Sequence, residues 1–256
     1  MTTRLKNIIT FVALMFLFAA TSVFANEKTY HLTSPDGHIS TSVTVGESIR
    51  YSVSRDGQVL IAPSAVSMRL SDGVVFGQND KVRKVAKTSS DETFPAVAYK
   101  KAEVRDNYNQ ITLLFKEFAL VFRAYDDGVA YRFEGRLGKA KEYEVISEQA
   151  EFDFGKDRMA FVPYVIGLGG KQFDGQFYNS FENTYRLQRL YEWRKDKLAF
   201  LPLAVEAEDG VKVLVTEAGL RVCIFLAKRG VQNLMVCSLH IPRLSSRAAS
   251  ICFTAL

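Results

Sequence analysis

One acidic residue, Glu182, lies in a part of the chain that is rich in aromatic side chains. At the chain's aromatic content of 12%, about four rings would be expected between positions 161 and 193, yet there are nine. They are Phe161, Tyr164, Phe173, Phe177, Tyr178, Phe181, Tyr185, Tyr191 and Trp193. Amides, hydroxyls and charged groups lie between them, a mixture typical of a surface where rings stack on a ligand and polar groups bind its rim. Carbohydrate fits this mixture best, and burial in a core is the alternative for any one ring.

The residue pattern leaves several roles open for Glu182: metal ligand, general acid or base, helix-capping acid, or solvated surface charge. Together with Glu192 it could do the acid and base work of glycosidic cleavage, but the spacing along the chain does not fix the separation of the two carboxyls. Other reactive constellations are missing. The three histidines, His31, His38 and His240, do not have metal-ligand spacing, and no serine or cysteine nucleophile has a matched histidine.

The elements that must position these residues are β-strands. Apolar residues alternate with polar ones after Tyr30, which predicts strands with one buried face. The clearest apolar faces are Ile39–Thr41–Val43–Val45, Ile49–Tyr51–Val53, Phe118–Leu120–Phe122, Val129–Tyr131–Phe133 and Phe152–Phe154. Helical periodicity is scarce, and its best candidate runs from Tyr185 to Lys197.

Turn chemistry supports an antiparallel arrangement. Asp-Gly pairs suit tight hairpins, because glycine accepts a positive φ and aspartate tolerates one. Six such pairs occur, beginning at Asp36, Asp56, Asp72, Asp127, Asp174 and Asp209. The sequence therefore predicts an all-β, antiparallel sandwich.

The N-terminus has the features of a secretory signal. Arg4 and Lys6 precede an uncharged run from Ile8 to Ala25, which ends with small residues before Asn26. This pattern predicts a signal peptide over residues 1–25 and an exported mature chain. An uncleaved membrane anchor is the alternative, since the run is near the minimum length of a membrane span.

Cysteine and charge distribution set the last part of the chain apart. All three cysteines lie between Cys223 and the C-terminus, so an exported body would be held by packing and not by disulfides. No acidic residue follows Glu217, whereas five cationic residues do, which accounts for the net charge of +5. The body is electrically balanced, and this argues against nucleic acid as a partner.

Five segments together resemble the N-terminal domain of family 97 glycoside hydrolases, the exported α-glucosidases and α-galactosidases of Bacteroidetes. They are Ser34 to Gly37 (SPDG), Tyr51 to Gly73, Tyr125 to Gly135 (YDDGVAYRFEG), Phe181 to Tyr185 (FENTY) and Leu201 to Leu220. The resemblance implies a super-sandwich of the galactose-mutarotase type, incomplete here at its C-terminal end. In the parent enzyme a (β/α)8 barrel with the catalytic carboxylates would follow it. The implied location is the periplasm, with no membrane contact after signal cleavage.

The resemblance also assigns roles to individual residues. Glu182 takes the position of a glutamate that reaches across the domain interface and helps to bind Ca²⁺, while Tyr185 and Trp193 would border an α-linked oligosaccharide. No catalytic residue is expected in this chain. Calcium takes six to eight oxygen ligands, which one glutamate cannot supply. We therefore expect the chain alone to lack appreciable hydrolase activity and a tight Ca²⁺ site.

The predicted organisation is a signal peptide (1–25), a sandwich domain (26–219) and an aberrant tail (220–256). Reading the codons that could encode Gln232 to Ser250 two nucleotides later permits a string that looks like the family's continuation. A frameshift after about Leu220 would explain the missing acids and the sudden cysteines, and a genuine short variant is the alternative. Such a truncation would leave sheet edges unpaired and lower the solubility of the chain.

The expected function is that of a carbohydrate-binding or scaffold domain of an α-glycosidase. A free-standing periplasmic carbohydrate-binding module is one alternative. A purely structural domain that supports a partner's active site is another.

Overall fold

The computed structural model describes residues 27–96, 100–135, 143–166, 175–176, 183–194 and 196–217, and four further strands as backbone only. The strands are β1 Lys28–Thr33, β2 Ile39–Val45, β3 Ile49–Arg55, β4 Gln58–Leu70, β5 Val75–Phe76, β6 Lys84–Pro95, β7 Glu103–Leu114, β8 Phe118–Tyr125, β9 Gly128–Gly135, β10 Tyr143–Asp153, β11 Met159–Val162, β12 Arg186–Arg189, β13 Leu203–Glu206, β14 Lys212–Glu217, β15 Ile224–Lys228, β16 Asn233–Ser238, β17 Ile241–Leu244 and β18 Arg247–Ala255. Within these residues no helix is long and apolar enough to cross a membrane.

Two nine-stranded sheets form the sandwich. The first has the order β1-β2-β3-β4-β10-β16-β15, with β5 beside β4 and β17 beside β10. The second has the order β12-β11-β13-β14-β18-β9-β8-β7-β6. Adjacent strands pair antiparallel throughout. The predicted all-β antiparallel sandwich is confirmed.

The alternating pattern of the sequence fixes which side chains enter the core. In β2 every second residue from Ile39 is buried, and β3 repeats this from Ile49 to Val53. Successive side chains of a strand point to opposite faces, so one face of each strand packs against the facing sheet. All five apolar faces predicted from the sequence are buried.

Aromatic rings join the two sheets. The ring of Tyr51 in the first sheet lies 5.9 Å from that of Phe122 and 5.6 Å from that of Tyr131 in the second, measured between centroids. Phe118 stacks at 4.3 Å on Phe115 and at 4.5 Å on Phe76. Each buried ring removes a large apolar area from water, and such contacts dominate the stability of a sandwich core.

Asp-Gly pairs form turns between neighbouring strands, as predicted. Asp56 and Gly57 join β3 to β4 with φ values of 50° and 82°, and Asp209 and Gly210 join β13 to β14 with 58° and 78°. Both residues of each pair adopt positive φ, which glycine and aspartate tolerate better than most residues. Asp174 lies outside the described residues.

Two predictions about local structure are wrong. The helix proposed from Tyr185 to Lys197 is instead the strand β12 followed by a short 3-10 turn, Leu190–Glu192. Backbone pairing with β11 satisfies this segment, and pairing outweighs a weak helical period. The sheet edges expected to be left unpaired are partly covered, because the tail contains β15 to β18. There β18 lies between β14 and β9, whose backbone groups would otherwise be unpaired.

Candidate functional site

The residues after Glu182 form an edge of the second sheet. Among the described strands, β12 ends the sheet and pairs with β11 alone, with Leu187 opposite Phe161 and Gln188 opposite Ala160. Because side chains alternate, Gln188 points inward and is 4% exposed, whereas Leu187 points outward and is 53% exposed. The inner face of β12 therefore carries the buried polar side chain of Gln188, and its outer face carries the exposed apolar side chain of Leu187.

A buried polar network fixes the inner side of this edge. The hydroxyl oxygen of Tyr164 accepts hydrogen bonds from the side-chain amide of Gln188 and from the backbone N–H of Arg194, both at 3.0 Å. Burial raises the pKa of the Tyr164 hydroxyl, and these two hydrogen bonds oppose that rise. The ring of Tyr164 meets that of Trp193 edge-on, with 5.4 Å between centroids.

Trp193 belongs to the core of the structure. Its side chain is 2% exposed, and its indole N–H donates to the backbone oxygen of Lys197 at 3.4 Å. This placement matches the alternative left open for any single ring, namely packing inside the sandwich. Burial weighs against a direct sugar contact by Trp193, although such contact stays an untested prediction.

Tyr185 occupies the outer side of the same edge. Its side chain is 41% exposed, and its hydroxyl donates to the backbone oxygen of Pro202 at 3.3 Å. Ile166, Leu187 and Tyr191 are also exposed, at 44%, 53% and 53%. We refer to Ile166, Tyr185, Leu187 and Tyr191, exposed residues on β12 or close to β11 and β12 along the chain, as the β12 apolar surface. They make up four of the nine large exposed hydrophobic residues that the described part of the chain contains.

The acids near this edge have structural partners. Glu192 accepts a hydrogen bond from the backbone N–H of Arg189 at 2.9 Å and so caps the 3-10 turn. Asp157 accepts a hydrogen bond from the backbone N–H of Tyr191 at 2.9 Å. Arg194 donates two hydrogen bonds to Asp196, and this hydrogen bonding lowers the pKa of the Asp196 carboxyl. None of these groups is poised as an acid and base pair.

Glu182 itself lies outside the described residues, so its roles as metal ligand, catalytic acid or cap stay predictions. Within the described residues, no group of three or more His, Cys, Asp or Glu side chains could hold a metal ion. The described residues thus do not form a calcium site by themselves. The arrangement suits binding or docking better than catalysis.

Two acids that the sequence reading did not single out are buried inside the sandwich. Glu148 in β10 is 4% exposed, and Glu217 at the end of β14 is partly buried. The sequence does indicate that Glu148 is buried. The inward positions occupied by Phe154, Phe152 and Ala150 recur at every second residue, and the next one is Glu148. An acid at an inward position of a strand marks a site that needs a physical explanation.

Comparison with known proteins defines the class to which this fold belongs. The family model described as "Glycosyl-hydrolase 97 N-terminal" matches residues 32–235, past the boundary predicted at 219. The chain belongs to this family.

Individual relatives agree with that assignment. A retaining alpha-galactosidase of Bacteroides thetaiotaomicron is 42% identical over 195 residues, which are 76% of this chain and 29% of that enzyme. The chain therefore spans less than a third of that relative's length.

Solved structures share the fold. A glycoside hydrolase family 97 enzyme from Pseudoalteromonas sp. strain K8, solved with acarbose, superposes with a TM-score of 0.73 at 19% identity, covering 89% of this chain and 35% of that one. A beta-arabinopyranosidase superposes with a TM-score of 0.68 at 19% identity, covering 89% of this chain and 40% of that one. At this identity the likeness concerns the fold alone.

Proposed function

We propose that this chain is the N-terminal scaffold domain of an exported α-glycosidase and that it supports an active site formed mainly by a catalytic barrel. The observation that carries the proposal is the match to a retaining alpha-galactosidase at 42% identity over only 29% of that enzyme. The reaction of the whole enzyme would be hydrolysis of an α-galactoside or α-glucoside. Export to the periplasm rests on the signal-like N-terminus.

The β12 apolar surface supports a docking role. Monomeric proteins seldom concentrate large apolar side chains in one exposed region unless it meets a partner. Tyr185 and Tyr191 provide ring area at low entropic cost, and aromatic residues are enriched in the centres of interfaces. Because FENTY ends at Tyr185, a catalytic domain that covers this surface would also approach Glu182.

Within the longer enzyme, Glu182 would then supply one oxygen ligand to a Ca²⁺ ion shared between the domains, and Tyr185 would border the sugar. A carboxylate can bind Ca²⁺ through one or both oxygens, but other residues must complete the coordination. Bound Ca²⁺ would neutralise nearby carboxylates and orient the substrate. No step of the reaction is assigned to the residues of this chain.

Activity assays on two forms of the protein test this proposal. The purified 256-residue chain should release no sugar from nitrophenyl α-galactoside or α-glucoside. A longer chain that joins this domain to a family 97 catalytic barrel should hydrolyse one of them. Sugar release by the short chain, with contaminating enzymes excluded, would refute the scaffold role.

Calcium titration into that longer enzyme tests Glu182 separately. Glu182→Gln should weaken Ca²⁺ binding, whereas Glu192→Gln, a nearby acid occupied in capping the 3-10 turn, should not. Equal affinities of the wild type and Glu182→Gln would exclude the ligand role.

A free-standing carbohydrate-binding module is the second candidate, and the exposed rings of Tyr185 and Tyr191 favour it. It requires that the 256-residue chain alone binds an α-linked oligosaccharide, and that Tyr185→Ala abolishes binding without unfolding the chain. Calorimetric titration with such oligosaccharides distinguishes it from the scaffold role, for which we expect no measurable affinity.

A further inference from the structure

Two carboxyl side chains face each other's sheet inside the sandwich. Glu148 projects inward from β10 of the first sheet, on the same face as Ala150 and Phe152. Glu217 ends β14 of the second sheet, on the same face as the buried Val213 and Val215. They are close enough for the charge of Glu217 to affect the ionisation of Glu148.

Within the described residues, three of the four oxygens of these carboxyls lack the partner that a buried acid normally requires. Both carboxyl oxygens of Glu148 and the Oε1 atom of Glu217 are buried without a hydrogen bond. An ionised carboxylate in such a place is costly, because no described side chain supplies a cation or hydrogen bond to compensate for the lost hydration. Two carboxylates are also too few for Ca²⁺. A proton neutralises either carboxyl without requiring further ligands.

We propose that Glu148 and Glu217 form a proton-operated latch, which holds the two sheets together when both carboxyls are protonated and loosens them when either ionises. A protonated carboxyl is neutral, so it can stay buried between the sheets without the desolvation penalty of a carboxylate. Ionisation leaves charge in an apolar interior.

The direction of the pKa shifts agrees with this role. Desolvation, and then the charge of Glu217, raise the pKa of Glu148 from 4.5 to about 8. Desolvation raises the pKa of Glu217 from 4.5 to about 7. Since both folded-state values exceed the unfolded value, the stabilisation is complete below about pH 4.5 and is lost as pH rises towards 8.

Charged groups on the packed strands do not offset these acids within the described residues. From β9 the buried Tyr131 faces Glu148, and its charged form would repel the carboxylate. Arg132 and Glu134 lie on the other face of β9 and bridge each other at 2.5 Å. On β4, Met68 stands opposite Glu148, while Arg69 is exposed.

The remaining neighbours are strands β16 to β18, of which only the backbone is described. In the register Ile251 of β18 stands between Glu217 and Tyr131. The charged residues that these strands carry are Arg243 and Arg247, and Arg247 stands opposite Glu134 in the register.

Thermal unfolding of the 256-residue chain between pH 5.5 and 9 tests the latch. The melting temperature of the wild type should fall by roughly 5 to 10 °C over this range. Glu148→Gln should remove most of that fall, because the amide stays neutral. Glu217→Gln should remove part of it, and the double variant should resemble Glu148→Gln. Glu103→Gln, which removes an exposed acid from β7, should keep the wild-type slope.

The readout is the slope of melting temperature against pH and not the melting temperature itself, because a buried glutamine can destabilise the fold for unrelated reasons. An infrared spectrum of the wild type adds a second measurement that does not depend on a variant folding. It should contain a protonated carboxyl band at pH 6 that disappears by pH 9. Absence of that band, or equal pH slopes for wild type and Glu148→Gln, would overturn the proposal.

Discussion

Aromatic rings occupy two regions of this molecule in opposite ways. Around β8 and β9 the rings of Phe118, Phe122 and Tyr131 are at most 1% exposed; Phe118 packs against Phe133, and Phe122 packs against Tyr131. Around β12, the rings of Tyr185 and Tyr191 are 41% and 53% exposed. Both groups are aromatic, but within the part of the chain that the structure describes only the first lies between the two sheets.

The difference separates rings that stabilise the fold from rings that can contact a partner. Rings between the sheets are placed by the hydrophobic effect and need no further purpose. Rings at the sheet edge keep apolar area in water, which folding alone would not select. Substitutions in the two regions should therefore separate loss of stability from loss of association.

The largest effect is expected in the central core. Phe118→Ala removes a fully buried ring that stacks on Phe115 and Phe76, and should lower the free energy of unfolding by about 3 to 5 kcal/mol. Urea unfolding followed by circular dichroism measures this. Phe94→Ala, whose ring is 48% exposed, is the matched control and should change it by about 0.5 kcal/mol or less. Similar losses of unfolding free energy for Phe118→Ala and Phe94→Ala would contradict the distinction between buried and exposed rings.

An intermediate effect is expected for Trp193, which lies near the exposed region but packs as a core residue. Trp193→Phe loses ring volume and the indole N–H bond to Lys197, and should lower the free energy of unfolding by about 1 to 2 kcal/mol. Chemical denaturation measures it. Unchanged stability together with altered sugar binding would show that Trp193 acts in sugar binding, the role predicted for Tyr185, and not in packing.

A smaller effect on stability is expected on the β12 apolar surface. Leu187→Gln replaces an outward side chain that is 53% exposed, and should change the free energy of unfolding by no more than about 0.5 kcal/mol. The same change should reduce self-association of the chain, measured by analytical ultracentrifugation. Thr112→Gln, on β7 of the same sheet, is a control that should leave association unaltered. A marked loss of stability in Leu187→Gln would show that this surface is part of the fold.

The architecture could be predicted from local patterns because strands and hairpins have local causes. Alternation from Ile39 to Val53 and the turn at Asp56 specify buried faces and antiparallel pairing within a few residues. Which strands neighbour β10 could not be predicted, since β4, β16 and β17 are far from it along the chain. The false helix after Tyr185 has the same origin, because pairing with β11 decides its conformation.

The candidate site was predictable in composition but not in geometry. Aromatic density pointed to the region of Tyr185, yet it gave the same weight to Trp193, which proved to be buried. Exposure depends on which sheet covers a ring, and that is a property of the whole sandwich. The proposed relation of Glu148 to Glu217 is similarly non-local, because these residues belong to different sheets.

The smallest effect is expected on the solvated surface of the central region, at the turn between β3 and β4. Nδ1 of His38 lies 2.6 Å from Oδ1 of Asp56, and this hydrogen bond raises the pKa of the exposed His38. A raised histidine pKa adds stability below pH 6.5 that is lost as pH rises through the folded value. Asp56→Asn tolerates the same positive φ, so it should lower the melting temperature by no more than about 2 °C at pH 5.5 and by less at pH 8.5. Scanning calorimetry at both pH values measures the difference. A larger loss of melting temperature at pH 8.5 than at pH 5.5 would exclude the His38–Asp56 pair as the source of the effect. Water and salt screen this exposed pair, so Asp56 stabilises only the protonated imidazole, whose population falls as pH rises.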